Sequence, residues 1–203
     1  MNPITIVREL GAAGALLVSY PLECLTLYNW PFPGANRREP VILAHGLGGN
    51  RTNLLGLAAF VRMAGFGDIG YFDYPVRQAL EESAAQLAGM AARADRGAGV
   101  HLMGHSLGGT ISRMASARMH AGAVRSLITL ASPYSYTQCS PGEVAFFGDE
   151  DPIVRPPMRE RLAQGAFKRV VILPNTAHLG VLYHQEVMQV TFGELRASRA
   201  AGE

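Results

Sequence analysis

From Val41 onward the chain alternates short apolar runs with longer amphipathic stretches, and this alternation constrains the fold more than any other feature. A short, uninterrupted apolar run suits a strand buried on both faces, and a stretch of helical period after it can carry the chain back to lay the next strand parallel to the last. The runs predict strands at residues 41–44, 69–72, 100–103, 127–130, 144–147 and 170–173. Between them, helices are expected over 52–64, over 78–93 with Leu80, Ala84, Leu87, Ala88 and Ala91 on one face, and after Ser106 with Ile111, Met114 and Ala115 inward. Two more are expected around 158–163 and over 179–195. The expected class is α/β, a mostly parallel sheet of about six strands with helices on both faces. Sites in such sheets form at the carboxyl ends of the strands. The loops to inspect therefore follow Ala44, Met103, Phe147 and Leu173, and they contain His45-Gly46, Ser106, Asp151 and His178.

At 203 residues, 48% hydrophobic and 17% charged, the chain can build one sizeable core. The division expected is an apolar N-terminal segment over 1–39, read as a helix packed on the domain, and one α/β domain over 40–203. The 18 basic and 16 acidic residues are interspersed, without the basic run that tracks phosphates, so nucleic acid is not an expected partner. Cys24 and Cys139 lie far apart without metal-ligand spacing, so neither a metal site nor a disulfide framework is expected. Residues 10–22 are uncharged, which is short of the ~20 residues a membrane helix needs, and Pro21 falls within the run. Membrane association through residues 10–30 and a secretion signal stay open beside the packed helix. A cytoplasmic location in a bacterium is the expectation.

The segment Gly104-His105-Ser106-Leu107-Gly108 joins a buried strand to a helix. A serine on so tight a turn stands clear of the sheet, and small flanking residues let the neighbouring backbones approach. Ser106 is the candidate nucleophile. A serine hydroxyl attacks only when an imidazole takes its proton, and that imidazole needs an acceptor to fix its tautomer. His178, on the loop after the last strand, is the candidate base; His184 is its one competitor, while His101, His105 and His120 read as structural. The acid comes from Asp149, Glu150 and Asp151, with Asp151 favoured because Ile153 and Val154 can anchor the loop beside it; Asp73 is a weaker choice. The tetrahedral oxyanion needs two backbone donors. They are expected at Leu107, which opens the helix, and at Leu47 in the glycine-rich loop His45-Gly46-Leu47-Gly48-Gly49.

With these strings in place, the chain resembles the α/β-hydrolase lipases and esterases, most closely their compact, lidless bacterial members. The resemblance covers about residues 41–195 and includes Ala177-His178-Leu179-Gly180-Val181-Leu182-Tyr183. It implies Ser106, Asp151 and His178 as a catalytic triad, the Leu47 and Leu107 amides as the oxyanion hole, and no cofactor or metal. The compact lipases carry alanine where this chain has Gly104, a change expected to be harmless because either small residue fits. They have no counterpart to residues 1–39.

The function expected is cleavage of carboxylic esters of short to medium acyl chains, the substrate being a small-molecule or lipid ester. An amidase, thioesterase or acyltransferase would use the same triad, and a silent hydrolase fold could serve as a binding module. Only residues 131–143 lie between the fourth and fifth strands, too few for a cap domain. Ser132, Pro133, Tyr134 and Tyr136 should then form an open rim, with His45 and Gly46 facing substrate and Leu47, Leu54 and Leu179 as apolar neighbours of the acyl chain.

Overall fold

The computed structural model describes residues 1–19, 39–134, 140, 142–157 and 167–200. Among the expectations above, the 158–163 helix, Tyr136, both cysteines and residues 20–38 lie outside that set. Each apolar run is a strand: β1 (Val41–Ala44), β2 (Ile69–Phe72), β3 (Val100–His105), β4 (Val124–Leu130), β5 (Glu143–Gly148) and β6 (Arg169–Leu173). They form one parallel sheet in the order β2-β1-β3-β4-β5-β6. The order reverses at β1 and β3, so the loops leaving these two strands part to opposite sides and open the crevice typical of such sheets.

The two faces of the sheet separate by the period-two rule. Val41 and Leu43 of β1, Met103, Ile128 and Leu130, and Phe146 of β5 point to one side. There they pack with Leu57 and Val61 of α2 (Leu55–Met63) and with Val187 and Leu195 of α5 (Gln185–Ala200). Ile42 and Ala44, Leu102 and Leu127 point to the other side, where Leu87 of α3 (Leu80–Ala94) and Ile111 of α4 (Leu107–Ser116) cover them. Central strands β1, β3 and β5 are buried along their whole length, whereas edge strand β6 alternates between exposed and buried positions.

Three of the differences from the expected boundaries bear on the site. Strand β3 extends to His105, which pairs with Leu130, so the strand delivers the chain directly to Ser106. The 52–64 helix opens with a 3-10 turn over Arg51–Leu54, capped where Asn50 Oδ1 accepts from Thr52 N at 2.9 Å. The single helix expected over 179–195 is two pieces: a 3-10 turn, Gly180–Tyr183, and then α5. His184 breaks it. Its backbone is extended, and its Nδ1 lies 3.2 Å from Glu186 N, so the ring caps α5 and its local hydrogen bond competes with a continuous helix.

Residues Pro3–Ser19 form helix α1. Proline at the first helical position loses no hydrogen bond, and Asn2 caps the turn by accepting from Thr5 N at 2.9 Å. Thr5 and Ala12 are buried, and the helix lies against the Gly180–Tyr183 turn and the Arg51–Leu54 turn. Its other face leaves Ile4, Val7, Leu10 and Leu17 exposed. Among the described residues no helix is long and apolar enough to cross a membrane.

Candidate active site

The serine turn is built from backbone. Ser106 has φ 52°, in the left-handed region that side chains other than glycine rarely adopt, at a cost of about 1–3 kcal/mol that its surroundings must offset. Ser106 N donates to Leu130 O at 2.8 Å, tying the turn to β4. A Cβ added at Gly104 would lie 2.4 Å from the backbone of Gly108, and one at Gly46 would lie 3.1 Å from Ser106 Cβ and from His105 Nδ1. The first contact corrects the expectation that alanine would fit at Gly104: β3 and α4 approach too closely there. The second places the glycine-rich loop after β1 directly against the serine. Leu107 is the first residue of α4, so its N–H has no intrahelical acceptor.

Behind the turn, Arg113 of α4 is buried and donates from Nε and Nη2 to the two oxygens of Glu143 at 2.8 Å each. Its Nη1 donates to Pro133 O at 3.2 Å, as does Thr110 Oγ1 at 3.3 Å. The start of the segment after β4 is therefore fastened onto the serine helix at Pro133.

Asp151 and His178 meet. Asp151 Oδ1 accepts from the amides of Ile153 at 2.8 Å and Val154 at 2.9 Å, the anchoring expected of those two residues. Its Oδ2 accepts from His178 Nδ1 at 2.8 Å. A carboxylate oxygen only accepts, so Nδ1 carries the proton and the other nitrogen of a neutral ring, Nε2, keeps its lone pair. Asp149 is exposed and accepts instead from Thr176 N at 3.2 Å, bracing the two loops. Asp73 stands 3.4 Å from His45 Nε2.

His105, read from sequence as structural, touches the candidate base. Its Nε2 donates to His178 O at 3.1 Å, and the two rings lie 4.8 Å apart. Burial, with the nearby His178 adding to it, holds His105 down at about 4, so at neutral pH it is an uncharged donor. The middle position of the serine motif thus links nucleophile turn and base loop. Its being a histidine was the available signal.

Several expected substrate contacts are corrected. His45 is buried, its ring stacked on Tyr74 at 4.6 Å and its Nδ1 donating to Gly46 O at 2.8 Å, so only its backbone can border a substrate. Leu54 is 1% exposed and belongs to the core under α2. Tyr134 is turned away from an open rim: its ring packs against Phe147 and Phe167 at 5.3 and 5.0 Å, with the Arg113 guanidinium over its face. In each case apolar area found a better partner inside. Leu47 is 61% exposed, and Leu179 is half-buried beside His178. His184 is occupied at the start of α5, His101 is buried in β3, and His120 is exposed in the turn after α4. Among the described residues, no three His, Cys, Asp or Glu side chains cluster as metal ligands.

Residues 76–145 match the model of a family described as the PGAP1-like alpha/beta domain, about a third of the chain. No curated protein matches the sequence. Solved structures do match. A protein of Xanthomonas campestris described as a hydrolase of the alpha/beta superfamily superposes with a TM-score of 0.65 at 18% identity, over 79% of this chain and 99% of that one. A protein of Thermoplasma acidophilum described as a CIB-like hydrolase gives 0.62 at 19% identity, covering 80% and 88%. Esterase PE8 gives 0.62 at 16% identity, covering 83% and 96%. Identities this low carry the architecture and not the reaction, and together with the parallel sheet and its crossovers they establish that this chain has the α/β-hydrolase fold.

Proposed function

We propose that this protein is a serine hydrolase that cleaves carboxylic esters of short to medium acyl chains. The observation that carries the reading is the pairing of His178 with a doubly anchored Asp151, on loops that His105 joins to the strained serine turn. In the reaction Ser106 Oγ adds to the ester carbonyl as its proton passes to His178 Nε2. The oxyanion is received by the amides of Leu47 and Leu107. Collapse of the tetrahedral species breaks the C–O bond, the His178 proton leaves with the alcohol, and Ser106 keeps the acyl group. Water then enters by the same base, and the acid and free Ser106 are released. Asp151 holds the tautomer and stabilises the imidazolium formed in transit. The acyl chain would rest against Leu47 and Leu179. The similarity to esterase PE8 favours esters over amides as the first substrates to try.

The test is labelling by a fluorophosphonate together with hydrolysis of p-nitrophenyl esters of increasing chain length. Both should be present in the wild type and lost in Ser106→Ala, with kcat lower by about 10⁴–10⁶. A folded Ser106→Ala variant that keeps more than a few per cent of the activity overturns the reading. The short segment after β4 leads us to expect no interfacial activation, so the rate with tributyrin should rise smoothly through its solubility limit.

A further inference from the structure

Helix α1 contains only two charged residues, Arg8 and Glu9, and both turn toward the domain, while Ile4, Val7, Leu10 and Leu17 face outward. A helix packed only to bury apolar area would be rotated the other way. The inward charges grip particular groups. Glu9 Oε1 accepts from Leu179 N at 2.6 Å and Oε2 from Gly180 N at 2.7 Å. Those two amides open the Gly180–Tyr183 turn, where N–H groups have no partner within the turn, and they directly follow His178. Arg8 Nη1 donates to the carbonyls of Pro174 at 2.8 Å and Asn175 at 3.1 Å, on the other side of His178.

The acid loop is held by the same segment. Asn2 N donates to Glu150 Oε2 at 2.6 Å, and the Asn2 side-chain amide reaches Glu150 Oε1 and, at 2.6 Å, Asn175 Oδ1. Glu150 precedes Asp151, and Glu150 N donates to Thr176 O at 3.1 Å. The backbone of His178 is thus fixed from one side by His105, through its carbonyl, and from the other by Glu9, through the next amide.

We infer that Glu9 is a positioning residue: across about 170 positions of sequence, its carboxylate sets the loop that presents His178 to Ser106. The inference rests on the function proposed above for those two residues. Charge-assisted bonds to two adjacent amides are among the stronger ways to hold a loop, and a base displaced by about 1 Å can cost up to 10²-fold in rate. Because Glu9 acts on the backbone of the base loop through the Leu179 and Gly180 amides, its removal should slow the chemical step without weakening substrate binding.

The experiment uses the full chain with Glu9→Gln, which keeps the size of the side chain but only one acceptor oxygen. Relative to wild type, with active sites counted by fluorophosphonate uptake, kcat for p-nitrophenyl acetate should fall about ten- to a hundredfold, with KM within about twofold. Amide exchange at Leu179 and Gly180 should quicken, and the His178 Nδ1–H proton signal should broaden or vanish. Glu9→Asp, with both oxygens on a shorter stem, should fall between the two; should Glu9→Gln not fold, Glu9→Asp carries the test with the same kcat-only loss. Val7→Gln, on the exposed face, should change none of these. An unchanged kcat per active site in a Glu9 variant whose Leu179 and Gly180 amides do exchange faster overturns the inference. If the wild type neither turns over esters nor takes up fluorophosphonate, the proposed function fails instead. Glu9 is then judged on the His178 Nδ1–H signal, and a signal untouched by Glu9→Gln sinks the positioning role.

Discussion

The serine turn and the acid–base loops solve the same problem, holding a side chain in one place, by opposite means. The serine turn is local: β3, the left-handed Ser106 and α4 are consecutive, and the fit of Gly104 against Gly108 is a matter of backbone sterics within five residues. The acid–base loops, after β5 and β6, are held by groups from elsewhere: His105 from β3, and Asn2, Arg8 and Glu9 from the first turns of the chain. Local constraint leaves a motif that can be read off a sequence. Constraint assembled from distant elements leaves only isolated residues, each with an ordinary alternative explanation.

The largest effect that separates the two regions should come from the acid. Asp151→Asn keeps the size of the side chain and can still accept at Oδ1, but it no longer imposes the Nδ1–H tautomer on His178, so kcat should fall by about 10⁴. Asp149→Asn, altering an exposed carboxylate that accepts from Thr176 N, should cost less than about tenfold. Steady-state kinetics of the two variants decide the matter. Comparable losses, or a larger one at position 149, would move the acid and dissolve the pairing on which the comparison stands.

Next in size is a change in the serine turn. Alanine at Gly104 puts a methyl carbon 2.4 Å from the Gly108 backbone, and neither β3 nor α4 can yield without disturbing the sheet or the serine. A loss of about 2–4 kcal/mol in stability is expected, measured as a shift of the urea midpoint, with kcat falling as the turn opens. A Gly104→Ala protein of unchanged stability and activity would show that the turn is less tightly built than its geometry states.

These contrasts explain what could be read in advance. All six strands were legible because each is a short apolar run, fully buried in the central strands β1, β3 and β5, and the placement of Ser106, Asp151 and His178 after strand ends on one edge of the sheet followed from that order. The break at His184 was not, because a single ring-to-amide bond decides between one helix and two. Leu54 and Tyr134 were assigned to the substrate because an apolar residue near a site looks the same in sequence whether it lines the cleft or the core. Glu9 did have a signal, a charge pair interrupting an apolar segment, but its meaning depends on amides about 170 residues away.

The smallest expected effect is on stability in acid, and it tests whether β3 serves both regions. His101 and His105 lie on that strand, and burial, aided by Arg125 at the first and His178 at the second, brings each down to about 4 from an ordinary 6.5. A histidine whose folded value is depressed gains protons more readily in the unfolded chain. Its contribution is therefore complete above pH 6.5 and is lost as the pH falls toward 4. Between pH 7 and pH 5 each should cost on the order of 1–2 kcal/mol, read as a lower urea midpoint. His101→Leu, which replaces a ring packed edge-on against Phe66, should remove about half of that slope and leave kcat near wild type. His105→Gln should remove the other half and, because it also loses the ring bonded to His178 O, should lower kcat as well. If both variants flatten the acid slope but neither touches kcat, His105 is only a buried core residue, and the link between the serine turn and the base loop carries no function.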